Sequence, residues 1–190
     1  SCSDATIIIA EGCGDAVYET HEVFKILGYD TLASEFDIKL VDLNYEPLTL
    51  LKIPGNNIFP QIYLPKIAFE NYIVSLPVLK AHSLSYLTGT LKNMLGFAPP
   101  KYYSGGGFWK KAFFHQSIQQ SIHELNRFIT PDMTIMDASI GLSDYHLGGP
   151  ECNPRVNKLM AGFDPIRLDK EAAGLLNLNW KNIDHIKNNS

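Results

Sequence analysis

Apolar positions along the chain fall into short runs separated by turn residues, a pattern of strands alternating with helices. Residues 5–10, ATIIIA, form a β-branched run that reads as a buried strand opening into Glu11-Gly12-Cys13-Gly14-Asp15. Val17, Phe24 and Leu27 then share one helical face, Gly28 stops that helix, and residues 31–36 add a further helical turn. Residues 39–42 and 48–52 are strand candidates interrupted by Asn44 and Pro47, and the turn Pro54-Gly55-Asn56-Asn57 allows residues 58–63 to pair back. A short helix or connector over 64–70 leads to residues 72–78, YIVSLPV, a nearly continuous apolar strand that Pro77 is expected to end.

In the second half, Leu84, Leu87, Leu91 and Leu95 make one helical stripe, weakened at Gly89. Residues 98–108 hold two prolines, three successive glycines and several aromatic side chains, which suits a flap or a surface loop. Ile118, Ile122, Leu125 and Phe128 predict a packed helix beginning near His115, with His123 on the surface. Residues 133–136 predict a strand ending at Asp137, residues 141–154 a loop, 156–162 a last strand and 165–176 a helix, after which the chain should fray. No repeat or linker divides it, so residues 1–190 read as a single α/β domain. The expected architecture is three layers, with a mixed, largely parallel sheet flanked by helices, a class that places ligands beyond the carboxyl ends of its strands.

Composition narrows the function. With 45% hydrophobic residues the 190-residue chain can bury a sizeable core. No apolar run is long enough to cross a membrane and no signal-like leader opens the chain, so a soluble, cytoplasmic protein without membrane partners is expected. Cys2, Cys13 and Cys152 are too scattered for a disulfide framework or an iron-sulfur cluster motif and read as reduced thiols. A formal charge of -4 excludes a general nucleic-acid binder. That charge is unevenly spread: residues 71–123 contain no Asp or Glu, yet hold Lys80, Lys92, Lys101, Lys110 and Lys111. An acid-free basic middle in an acidic protein suits a small anionic ligand.

The chemistry-bearing residues concentrate there. Lys80 and Lys92 lack sequence-near acids, which favours a carboxylate or phosphate ligand, or distant carboxylates such as Glu11 and Asp137. A helix capped at Thr88 would offer the N–H groups of Gly89, Thr90 and Leu91 to an anion beside Lys92 and Asn93. His82 and His115 suit proton transfer or metal ligation, and equally structural roles. Asp137, Asp164 and Asp169 suit a metal-binding or catalytic set, although capping and helix-dipole roles explain Asp164 and Asp169 equally simply. Gly148 and Gly149 either bring backbone close to a ligand or turn the chain. The two glycines around Cys13 fall short of a dinucleotide fingerprint and read as a tight turn.

Several motifs in order, LPVLKAH from Leu76, TGTLKNMLG from Thr88, MDASIG from Met136, GGP at Gly148 and AGFDPIRLDKEAAGLL from Ala161, resemble the domain of unknown function 362 family. The resemblance implies an association with iron-sulfur proteins. It also implies an upstream strand and helix bearing Lys-Pro-Asn, which this sequence does not contain. The spacing of His82 and Lys92, with Thr88-Gly89 between, is more distantly similar to the nickel-pincer lactate racemase family, where such a lysine carries the cofactor and a later histidine, here His115, binds metal. Two functions are therefore expected. One is an enzyme in which Lys80 and Lys92 hold a small anion while His82 and His115 move protons or bind nickel or another divalent metal. The other is a non-catalytic cofactor-binding or electron-transfer module that works with an iron-sulfur partner or by self-association.

Overall fold

The computed structural model describes residues 5–190; Cys2 lies outside them. Near the N-terminus, β1 (Ile8–Glu11) runs parallel to β2 (Lys39–Asp42), and the crossover is made by α1 (Thr20–Ile26) and α2 (Tyr29–Phe36). The expected buried strand over 5–10 is half-buried at Ile8 and Ile9 and exposed at Ala10, because among the described residues β1 has one strand beside it. Phe24 carries the inward face of α1, edge-on to Tyr29 with ring centroids 5.8 Å apart, while Val17 and Leu27 are exposed. Glu19 and Glu22 close a reciprocal capping box that fixes where α1 starts.

β3 (Leu48–Lys52) and β4 (Gln61–Pro65) form an antiparallel hairpin with Ile62 and Leu64 inward. The chain then enters the main sheet as β5 (Val74–Ser75) and β6 (Val78–His82), two pieces of one course that both run parallel to β8 (Met133–Leu142). β7 (Tyr86–Thr88) folds back antiparallel on β6, and β9 (Lys158–Gly162) is antiparallel to β8 on its other edge. The remaining helices are α3 (Thr90–Asn93), α4 (Pro100–Tyr103), α5 (Ile118–Asn126), α6 (Pro165–Leu175) and α7 (Asp184–Lys187). The protein is thus an α/β domain with mixed sheets.

Its principal core gathers Leu79 and Ala81 of β6, Leu87 of β7, Met136 and Ala138 of β8 and Met160 of β9 against Ile122 and Leu125 of α5, Leu168 and Ala172 of α6 and Ile186 of α7. Alternation leaves Val74, Val78 and Leu159 exposed on the opposite face. Glu124 of α5, almost fully buried, accepts from the N–H groups of Asn57, Ile58 and Phe59 at 2.9, 2.8 and 2.7 Å, pinning the β3–β4 turn to the helix.

Several sequence expectations change. Pro77 interrupts the strand without ending it, so Lys80 and His82 lie inside β6. The leucine stripe from Leu84 to Leu95 is split: Leu84 is exposed, Leu87 sits in β7, and only Leu91 falls in the four-residue α3. Tyr86, at φ 63°, makes the tight reversal that sends β7 back along β6. β8 continues past Asp137 to Leu142, so Asp137 is a mid-strand residue. The C-terminal residues dock, with Ile183 and Ile186 almost wholly buried. No helix among the described residues is long and apolar enough to cross a membrane.

Candidate functional site

Strand alternation sends Leu79 and Ala81 into the core and leaves Lys80 and His82 on the other side of β6. The β6–β7 register sets Lys80 opposite Thr88, and Gly89 then turns the chain into α3, which carries Lys92. The backbone here is held by Asp169, fully buried on α6, whose carboxylate accepts from Thr90 N–H at 2.6 Å and Leu91 N–H at 2.9 Å. A side chain at Gly89 would run into that carboxylate, so glycine is required by close approach. Two of the three N–H groups expected to await an external anion, those of Thr90 and Leu91, are therefore taken by a carboxylate of the chain itself. Burial pushes the Asp169 carboxyl up to about 6, against the pull of those two N–H donors.

Around Lys92 the structure gathers a cluster of basic groups. The His82 ring stacks on His146, with centroids 3.8 Å apart and planes 11° from parallel, and lies 6.5 Å from the ring of His115, which stands exposed at the rim. Burial, then the positive charge of Lys92 and the neighbouring His146, His115 and Lys80, lowers His82 to about 3. His146 and His115 are lowered in the same way, by burial first and Lys92 after it, although hydrogen bonding at the Lys111 backbone partly offsets this at His115. Lys92 itself is drawn down to about 8 by burial and by Lys80. No carboxylate contributes to any of these shifts, and neither Lys80 nor Lys92 has an ion-pair partner among the described residues.

Hydrogen bonding fixes what the imidazoles offer. His82 Nδ1 accepts from Leu84 N–H at 3.0 Å and Ser85 N–H at 3.2 Å, so the neutral ring carries its proton on Nε2 and presents a donor. Leu84 O in turn accepts from Gln119 Nε2, and Gln119 Oε1 accepts from His185 N–H and lies 2.6 Å from His185 Nδ1. His185, fully buried on α7 and lowered to about 3 by burial and Lys92, is thus left with an unpartnered Nε2. Thr88 Oγ1 and His146 Nδ1 are also buried without partners, and buried polar atoms of that kind call for a ligand or ordered water.

The other expected site residues lie elsewhere. Glu11 turns back to accept from Gly12 N–H and contributes its charge to Lys111. Asn93 is exposed and donates to Ser75 Oγ, and Asp137 is exposed and accepts from Ser139 N–H. Asp164 caps α6, accepting from Ile166 and Arg167 N–H. Gly148 and Gly149 act indirectly: Gly148 has φ 74°, and a side chain at Gly149 would overlap the Tyr145 backbone, whose carbonyl accepts from Gly149 N–H at 3.0 Å. They shape the tight loop that lays His146 on His82. Sequence reasoning missed His146 and His185; the two glycines and the Ile183–Ile186 spacing were the available signals.

The metal expectation meets a chemical obstacle. A histidine that ligates through one nitrogen normally donates from the other, whereas His82 accepts at Nδ1 from two backbone donors. Rings stacked nearly parallel also do not aim their nitrogens at a common centre, and no group of three or more His, Cys, Asp or Glu among the described residues is arranged to hold a metal ion. The residues do not fit nickel.

No curated protein and no solved structure matches the chain. A family profile does, over residues 2–174, a segment that contains the whole cluster except His185. On that match the chain belongs to the family described as Domain of unknown function (DUF362).

Proposed function

We propose that this protein binds a small carboxylate or phosphate at the cluster of Lys80, His82, Thr88, Lys92 and His146, with His115 at its edge. The observation that carries this reading is charge without countercharge. Burial and the positive charge around them lower the proton affinity of Lys92 and of all three imidazoles, and no acid among the described residues answers them. An anion supplies the missing charge, with Lys80 and Lys92 as its partners and His82 Nε2–H as a neutral donor. Neutral imidazoles beside a bound anion also take up protons more readily, which gives His115 and His146 a role in proton transfer to or from the ligand.

The test is calorimetry with phosphate, acetate and malonate at pH 7 in two buffers of different ionisation enthalpy. Binding should be accompanied by proton uptake, and Lys92→Met should weaken it by about tenfold or more, the scale of a lost charge-assisted hydrogen bond. Absence of binding by every anion, or binding indifferent to Lys92→Met, would overturn the proposal.

A further inference from the structure

A cavity on another part of the surface shares no residue with the basic cluster. It is an open cleft of about 720 Å³ between the loop after β2 and the segment leading through α4, a volume in the range of small-molecule sites. Its walls are aromatic and stiff. Tyr63 of β4 and Tyr102 of α4 stack with centroids 4.2 Å apart and planes 13° from parallel, and Pro99 and Pro100 fix the backbone at the helix start. The neighbouring Tyr103 is buried and its hydroxyl accepts from Tyr63 N–H at 2.8 Å, which locks α4 to β4 and holds Tyr102 in place. Tyr102 nevertheless remains 42% exposed, and Tyr45 across the cleft is 75% exposed.

The charges around these rings are separated in kind. Lys110 is already committed, donating to Asp15 O and Tyr18 O and pairing with Glu19 at 3.2 Å. Lys101 stands 5.5 Å from the Tyr102 ring centroid, and neither it nor Glu46 has an ion-pair partner among the described residues. Both line the cleft. One free cation, one free anion and a preformed tyrosine stack define a ligand by its chemistry.

We infer that the cleft binds a small planar aromatic molecule carrying both an amine donor and an acidic group, its ring on Tyr102, its acid at Lys101 and its amine at Glu46. Two sources share that chemistry, an aminopurine nucleotide and an aromatic amino acid. They are separated by titrating the protein with adenosine 5′-monophosphate and with L-tryptophan, reading the ring-proton resonances of Tyr63 and Tyr102. The Lys92→Met background weakens the basic cluster's own hold on the phosphate, and the Tyr63 and Tyr102 resonances report the cleft alone.

One of the two probes should saturate these resonances with a Kd of about 1 mM or tighter, and which one does so names the source. Tyr102→Ala should weaken that binding by about tenfold, the scale of one lost ring stack, with Lys101→Ala and Glu46→Gln each costing less. All three side chains are partly or largely exposed, so the variants should fold, which an unchanged melting temperature would verify. Saturation by neither probe, or binding unaffected by Tyr102→Ala, overturns the inference.

Discussion

Lys111 and Lys92 are both drawn out of water far enough for burial to pull their ammonium groups down to about 8, and the chain answers them in opposite ways. Lys111 Nζ donates to Gly12 O at 2.6 Å, Gly96 O at 2.7 Å and Leu95 O at 3.1 Å, using its three N–H bonds on three carbonyls. It ties the loop after β1 to the turn after α3. Approach there is so close that a side chain at Gly12 would overlap Gly96 O. Lys92 has no such acceptors among the described residues and sits among imidazoles and another lysine. A buried cation whose donors are all used is part of the structure, and one left without acceptors marks a place for something else. Both lysines belong to the same acid-free segment.

The contrast predicts opposite signs for the same substitution. Lys111→Met strands three carbonyls at the junction between the β1–β2 unit and the principal core, and should cost about 3–5 kcal/mol in denaturant unfolding. Amides of β1 and β2 should exchange faster than those of β6 and β8. A smaller loss in that variant would mean that apolar contacts, not Lys111, hold the unit.

Acidification probes the histidine side. His82 and His185 have folded-state values of about 3, against an ordinary 6.5, so the unfolded chain binds more protons across that window. Stability should therefore fall as pH drops from about 6.5 toward 3, by up to about 1.4 kcal/mol per pH unit for each histidine. Asp169, raised to about 6 from 3.8, acts with the reverse sign between those values and partly offsets the slope. Denaturant midpoints measured from pH 7 to 4 check this, and His185→Gln should flatten the curve.

Gly149→Ala should open the loop that holds His146 at a cost of about 1–2 kcal/mol, since its side chain has no room beside the Tyr145 backbone. The specific readout is loss of the ring-stacking shift at His82, with the core amides unchanged. The smallest effect on stability belongs to Lys92→Met, which removes a desolvated cation with no partner among the described residues and should stabilise the fold by about 1 kcal/mol. It should also raise the proton affinities of His82, His115 and His146, measurable by NMR titration. A destabilised Lys92→Met protein would place Lys92 with Lys111 as a structural residue.

Much of the framework was readable from local pattern. β2, β3 and the helix at 165–175 follow the expected runs closely, because each has a consistent period and its own punctuation, such as Asp164-Pro165 before α6. The segment after His82 was misread for a physical reason. Leucines three and four apart satisfy a helical stripe, but burial of Leu87 comes from β7 pairing with β6, which a window of local spacing does not see. The C-terminal residues look polar enough to fray, yet Ile183 and Ile186 are held by α5 and α6, far away in sequence.

For the site, the sequence by itself determined the charge: an acid-free basic middle containing Lys80, His82, Lys92 and His115, with no acid near in sequence to neutralise it. Only the tertiary structure decided which groups meet. It sent Glu11 to Lys111 and Asp137 to solvent, set the Asp169 carboxylate on the N–H groups of α3, and brought His146 and His185 from distant segments toward Lys92. The physical reason is that charge is additive along a chain and can be counted, whereas solvation and hydrogen bonding depend on which surfaces exclude water together, a property of the packed whole.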